Sequence, residues 1–207
     1  NYKLAKKINV DGTKNLINSI KKHQKSKPFL FFSSSSHVYS FSKKIIEEKS
    51  KKNGITKYGK TKLLAEKILL KNLNLYKLCI GRISSLCSEN QTNNFLFNKI
   101  IYLGKNKKKI FFKNSNIKRN FIYVDDVSKI IIKIIKKKIT GIINISNSEI
   151  THLSKLLVYL EKKYKFQIKH YFKDPEYLVI SNKFLQKKIG KFKFVSVKKI
   201  IEKIYRK

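Results

Sequence analysis

Residues 28–39 read Pro28-Phe29-Leu30-Phe31-Phe32-Ser33-Ser34-Ser35-Ser36-His37-Val38-Tyr39, and this stretch decides the fold class. A short apolar run opened by proline and closed by serines matches a strand buried on both faces of a parallel sheet. Helical spacing flanks it. Upstream, Leu16, Ile17 and Ile20 follow Thr13 in an amphipathic pattern that ends near His23; downstream, a helix is predicted over 58–70. The alternation then continues, with strands expected at 76–83, 109–112, 121–124, 142–145 and 166–171. Helices are expected at 93–102, 125–136, 151–164, 182–189 and 196–205, with Thr151 as the cap of the third and Gly190 as the stop of the fourth. Helices and strands in alternation with short connections give an α/β architecture.

Composition narrows the classes of function. The 207 residues carry 49 Lys+Arg against 12 Asp+Glu, a formal charge of +37, with 42% hydrophobic residues. That apolar content supports a packed core and argues against disorder. No apolar run approaches the ~20 residues of a membrane helix, and Cys79 and Cys87 form neither a CxxC nor a disulfide framework, so a cytoplasmic location is expected. A charge this large raises the possibility of a lysine-rich nucleic-acid-binding module. Against it, only Arg82, Arg119 and Arg206 are arginines, and arginine is the preferred bidentate reader of phosphate and guanine. The lysines accompany an excess of Ile, Asn and Phe, the residues of A/T-rich codons, so no specific nucleic-acid partner is expected.

Two patterns carry chemistry. Tyr58 and Lys62 stand four apart, on one helix face, where an ammonium can approach a phenol, favour phenolate and lower the tyrosine pKa. Spacing alone does not single this pair out, because Tyr2/Lys6, Tyr39/Lys43 and Tyr159/Lys163 share it. The second pattern is the serine run itself, which follows a buried strand at the carboxyl end where open α/β sheets place ligands. A hydroxyl there can bond a substrate oxygen while the tyrosine exchanges its proton.

In order along the chain, Asn9-Val10-Asp11-Gly12-Thr13, Phe31-Phe32-Ser33-Ser34-Ser35-Ser36-His37-Val38-Tyr39, Tyr58-Gly59-Lys60-Thr61-Lys62-Leu63-Leu64-Ala65-Glu66, Gly81-Arg82-Ile83-Ser84-Ser85, Arg119-Asn120-Phe121-Ile122-Tyr123-Val124-Asp125-Asp126-Val127 and Gly141-Ile142-Ile143-Asn144-Ile145 form ordered blocks. Together they resemble the extended short-chain dehydrogenase/reductases of the NAD-dependent epimerase/dehydratase group, which act on nucleotide sugars. The resemblance implies the C-terminal part of a doubly wound Rossmann sheet with a small mixed α/β substrate lobe. Residues 1–85, with a return at about 117–145, would belong to the cofactor domain, and 86–207 mainly to the lobe. It implies Tyr58 as acid/base, Lys62 lowering its pKa and holding the nicotinamide ribose, and Ser35 bonding the reacting sugar oxygen. Ser84 would meet the nicotinamide end of NAD, with NADP as the alternative cofactor. Ser85 and Arg119 would contact the nucleotide-diphosphate sugar, Arg119 at the diphosphate. The plain alternative for Arg119 is an ion pair with Asp125 or Asp126. No metal is implied, and a homodimer is compatible with the resemblance.

Departures from the family pattern bear on activity. Ser85 replaces a usual asparagine and Asn120 a usual aspartate, while Ser36-His37 replace the Asp-Glu pair of the 4,6-dehydratase branch. Water elimination is therefore disfavoured. For His37 itself, a packed or solvated side chain is the expected role. A 4-epimerase is the first expectation and a 4-keto-sugar reductase the second. The sequence has no methionine, and its seven glycines never take the Gly-x-x-Gly-x-x-Gly spacing that holds a pyrophosphate. At ~30 residues per βα unit, roughly 80–90 residues are expected ahead of Asn1, and the 207-residue chain alone is expected to bind NAD poorly or not at all and to be inactive. A non-catalytic remnant is the reading from a third class.

Overall fold

The computed structural model describes residues 2–207. Its first 22 described residues form one helical rod in three pieces: α1 (Tyr2–Lys6), a π-helical turn (Lys7–Asp11) and α2 (Gly12–His23). The sequence pattern located only the last piece, because Tyr2, Leu4 and Ile8 face outward and break the core-facing periodicity. Next come β1 (Phe29–Ser35), a 3₁₀ turn (Ser36–Val38), α3 (Lys57–Leu70) and β2 (Lys77–Ile83). The middle of the chain holds β3 (Ser85–Cys87), α4 (Leu96–Lys105), β4 (Ile110–Phe112), β5 (Ile117–Arg119), β6 (Phe121–Tyr123), α5 (Val124–Lys136) and β7 (Gly141–Ile145). The last part holds β8 (Thr151–His152), α6 (Leu153–Tyr164), β9 (Ile168–His170), β10 (Glu176–Leu178), α7 (Lys183–Ile189) and α8 (Val197–Arg206).

The main sheet is parallel, in the order β1-β2-β7, with Ser35 paired to Ile83 and Ile83 to Ile145. All three strands therefore end level, and Ser36, Ser84 and Ser146 stand just beyond their carboxyl ends. One face packs on α2 and α3 through Ile17, Leu69, Leu78 and Ile80. The other packs on α5 and α7 through Val127, Ile130, Ile134, Leu185 and Ile189. Each of those fully buried aliphatic side chains contributes about 1.5–3 kcal/mol. Expectation and structure differ at β1: its four apolar residues are only half-buried, because β1 pairs with β2 alone among the described residues.

A second core gathers α4, α6 and α8 around Phe97, Ile100, Leu157, Leu160, Ile200 and Ile201. Short strands connect it to the main sheet. β3 pairs with β6, β4 with β9, and β5 lies between β10 and β8. Thr151 does not cap α6. It sits in β8, opposite Arg119 of β5, and its Oγ1 has no partner; the helix starts at Leu153 instead. Antiparallel pairing has taken the residue that local sequence would assign to the cap. Gly190 does end α7, at φ 85°. No helix among the described residues is long and apolar enough to cross a membrane.

Candidate active site

Helix α3 is held against the end of β1 by close backbone approach. Thr56 caps it, its Oγ1 accepting from Gly59 N at 2.9 Å. A Cβ on Gly59 would clash with the His37 carbonyl oxygen, so only glycine lets this helix meet the turn after the serines. From the other side, Asn9 in the π turn donates to Thr61 Oγ1 at 3.0 Å, and Thr61 donates to the Tyr58 carbonyl at 2.8 Å. The π turn thus anchors the first turn of α3, in keeping with the tendency of such bulges to occur at functional positions.

This packing brings three of the expected residues together. Lys62 Nζ donates to the Ser33 carbonyl at 2.9 Å and lies 5.8 Å from the centre of the Tyr58 ring. Ser35 ends β1, with its Oγ accepting from His37 N at 3.2 Å. Tyr58 is 44% exposed, its ring open to a ligand. Partial burial pushes its phenol above the ordinary range and pulls Lys62 below its own. The phenol is therefore not lowered by Lys62 in this arrangement, because that ammonium is directed at Ser33.

Ser84 lies at the same sheet end, 6% exposed, its backbone N–H bonded to Ile145 O at 2.9 Å and its Oγ without a partner. Ser85 begins β3, and its N–H bonds to Asn120 O at 3.2 Å. Arg119 pairs with neither Asp125 nor Asp126. Its closest carboxylate is Glu176, at a loose 3.9 Å, while Asp126 accepts from Val195 N. Arg119 Nε is buried and unpaired, and its charge acts on His37. Asn120, 2% exposed, donates to Asn147 O and Glu149 O and accepts from Ile180 N. An aspartate could not donate to those two carbonyls, so the substitution has a structural use here.

Beneath the serines lies a buried polar network that the sequence reading missed. Arg82, 1% exposed, donates through Nε to Glu66 Oε1 at 3.0 Å and through Nη2 to Glu66 Oε2 at 2.6 Å. Its Nη1 donates to Tyr39 Oη and to Glu48 O, both at 2.8 Å. Ser34 Oγ also donates to Glu66, and Tyr39 Oη donates to Asn144 Oδ1 at 2.7 Å. Together these bonds join α3, all three strands of the main sheet and the loop after β1. The signal available in sequence was a lone arginine inside an apolar strand, since a buried charge requires a partner. Cys79 and Cys87 are free and buried, and burial pushes both thiols up to about 12. No group of three His, Cys, Asp or Glu side chains placed to hold a metal occurs among the described residues.

A parallel sheet with helices packed on both faces is the arrangement of a partial Rossmann domain. More narrowly, the chain belongs to the NAD-dependent epimerase/dehydratase family, whose model matches residues 3–146. Solved structures of the same fold include a UDP-glucuronic acid 4-epimerase from Bacillus cereus in complex with UDP-glucuronic acid and NAD, at 23% identity and a TM-score of 0.83, covering 96% of this chain and 66% of that one. A dTDP-glucose 4,6-dehydratase from Bacillus anthracis in complex with NAD gives 18% identity and a TM-score of 0.86, covering 97% and 67%. RMD from Pseudomonas aeruginosa complexed with NADPH gives 17% and 0.85, covering 97% and 73%. The chain thus spans between 66% and 73% of the length of these three structures. No curated protein gives a significant match.

Proposed function

We propose that the protein carrying this chain is an NAD(P)-dependent nucleotide-sugar epimerase acting at the sugar C4. The observation that carries this reading is the seating of α3 on the end of β1. Lys62 is bonded to the serine strand itself, and Tyr58 lies open beside it. Tyr58 is assigned the hydroxyl proton, Ser35 a hydrogen bond to the reacting oxygen, and Arg119, with Ser85, the nucleotide-diphosphate portion. A planar guanidinium with an unpaired Nε suits a phosphate oxygen. Lys62 would turn from Ser33 O toward the bound ligands, and its approach would bring the Tyr58 phenol down toward neutral pH.

The residues present fit the nicotinamide end of NAD(P). Ser84 offers a buried hydroxyl without a partner at the level sheet edge, and Lys62 is the nearby cation for a ribose hydroxyl. When bound, NAD(P) supplies the two-electron redox chemistry. Among the described residues no glycine-rich turn exists for the pyrophosphate, so that portion of the site is not part of this assignment. The lack of a carboxylate at Ser36-His37 favours epimerisation over water elimination.

Tyr58→Phe tests the reading in the complete, cofactor-loaded protein. Loss of a positioned acid/base costs about 10²–10⁴-fold in turnover, and that is the expected loss with KM little changed. A near-normal rate would remove Tyr58 from the chemistry and the proposed function with it.

A further inference from the structure

The β4-β9 pair turns one face to the core and the other to water. Ile110, Phe112 and Ile168 join the core around α4, α6 and α8. Alternation sends the positions between and beside them outward. On one strand these are Lys109, Phe111 and Lys113, and on the other Gln167, Lys169 and Tyr171, all six exposed. The ladder extends past both named strands, since Ile110 N bonds to Gln167 O at 2.9 Å and Tyr171 N to Phe112 O at 3.1 Å. Phe111 is paired with Lys169, and one step further the same register sets Lys113 beside Tyr171. Each ring therefore has a lysine across from it and another two residues away on its own strand. Phe111 and Tyr171 meet edge to face, with centroids 5.5 Å apart, and Lys169 Nζ lies 5.6 Å from the Tyr171 ring centre.

Exposure singles this face out. Phe111 is 55% exposed, Tyr171 44% and the adjoining Phe172 67%. Phe172 and Phe111 are the two most exposed aromatic side chains among the described residues, and they stand on one small sheet. No carboxylate occurs among the six outward positions. Rings open to water gain from apolar contact and lysines from anions, so a fitting occupant presents both in alternation. A single-stranded nucleic acid does so, because flat bases and phosphates alternate along it and its bases are free to stack. A duplex does not, since its base faces are taken up by their own stack and only phosphates remain for the lysines. Stacking reads no base edges, so the scarcity of arginine does not argue against this face, and lysine serves a phosphate as a point charge.

We propose that the β4-β9 face is a platform for single-stranded nucleic acid, indifferent to base sequence, with Phe111 and Tyr171 stacking bases and Lys109, Lys113 and Lys169 holding phosphates. It lies on a different sheet from the serine strand β1, so it goes beyond the epimerase reading and does not rest on it.

The test is fluorescence anisotropy of the complete protein with a labelled oligo-dT of about 12 nucleotides, in about 0.15 M KCl. The single strand should bind more tightly than a duplex of equal length. Phe111→Leu and Tyr171→Leu, which keep an apolar side chain without a ring, should each weaken binding by about 5–100-fold. Phe111→Tyr, which keeps the ring, should bind as wild type does. Replacing Lys109, Lys113 and Lys169 together by Gln should make the slope of log K against log salt shallower by about 2. Excess UDP-glucose should leave the affinity unchanged. Wild-type affinity in both Leu variants, or a duplex or inorganic polyphosphate bound as tightly as the single strand, would overturn the platform and leave charge alone. Equal losses in Phe111→Leu and Phe111→Tyr would overturn it by placing the effect in folding. Displacement by UDP-glucose would overturn it by placing the oligonucleotide in the candidate active site.

Discussion

Glu66→Gln is the sharpest perturbation of this fold, because it changes one atom inside a closed network. Arg82 places four of the five guanidinium donors, two on Glu66, one on Tyr39 and one on the Glu48 carbonyl. Both side chains of the pair are at most 2% exposed. The amide oxygen of glutamine can still accept from Arg82 Nε and Ser34. The amide nitrogen, however, replaces Oε2 opposite Arg82 Nη2, setting two donors face to face where a bond of 2.6 Å stood. The larger effect is a buried guanidinium left without its counter-charge, and breaking a buried pair from one side costs about 3–5 kcal/mol. For a chain of this length that loss corresponds to a midpoint lower by about 6–20 °C. Urea denaturation followed by circular dichroism measures it directly, with an unchanged m-value as the check that the fold is retained. In a double-mutant cycle with Arg82→Gln, the coupling should be about 1–3 kcal/mol. A loss below about 1 kcal/mol, with additive changes, would mean the network is not formed in solution.

Three further outcomes follow from particular contacts. Gly59→Ala should destabilise by about 3 kcal/mol or more, at or above the usual range for overpacking, since its Cβ would meet the His37 carbonyl. Gly12→Ala, a helical glycine whose Cβ meets nothing within 4 Å, should instead stabilise by about 0.5–1 kcal/mol; equal effects in chemical denaturation would refute the packing of α3 on the serine turn. His37 carries a pKa lowered from 6.5 to about 4, so the unfolded chain takes up a proton that the folded one refuses. Its contribution is complete above pH 6.5 and is lost as pH falls toward 4, so wild-type stability should drop more steeply over that window than that of His37→Gln; parallel curves would contradict the burial of the ring. Duplex DNA should bind weakly and without sequence preference, with a dissociation constant no tighter than about 1 μM near physiological salt. Retention well below that would revive the nucleic-acid reading of the +37 charge.

The parts legible in sequence were those with long or punctuated patterns. Phe29–Ser35, Lys57–Leu70, Val124–Lys136 and Gly141–Ile145 all lie where periodicity and flanking polar residues located them. β3, β5 and β10 were not legible. Each is three residues long, too short to show alternation, and each depends on a partner far away in sequence. Ser34 reads as part of a serine turn, yet β1 continues through it because its hydroxyl has Glu66 as a buried acceptor. Motif order singled out Tyr58, Lys62 and Ser35, and the structure places α3 with Tyr58 and Lys62 against the end of β1, where Ser35 stands. The geometry around His37 was not legible, because it depends on Thr56 and Gly59 at the start of α3 and on the charge of Arg119 in β5. Arg82 was read as a rare arginine and as part of an ordered block but given no partner; its burial near the end of β2, paired with Glu66, explains why a lysine-rich chain retains it.

The most direct test of the central claim follows the hydrogen at the sugar C4. The complete protein is incubated with NAD and UDP-glucuronic acid, or UDP-glucose, in deuterated water, and the sugar products are resolved by ¹H NMR. The account predicts formation of the C4 epimer with no deuterium at C4, because the carbon-bound hydrogen leaves and returns within the site while only the hydroxyl proton, handled by Tyr58, exchanges with solvent. Deuterium at the inverted carbon, or epimerisation that persists in Tyr58→Phe, would contradict it.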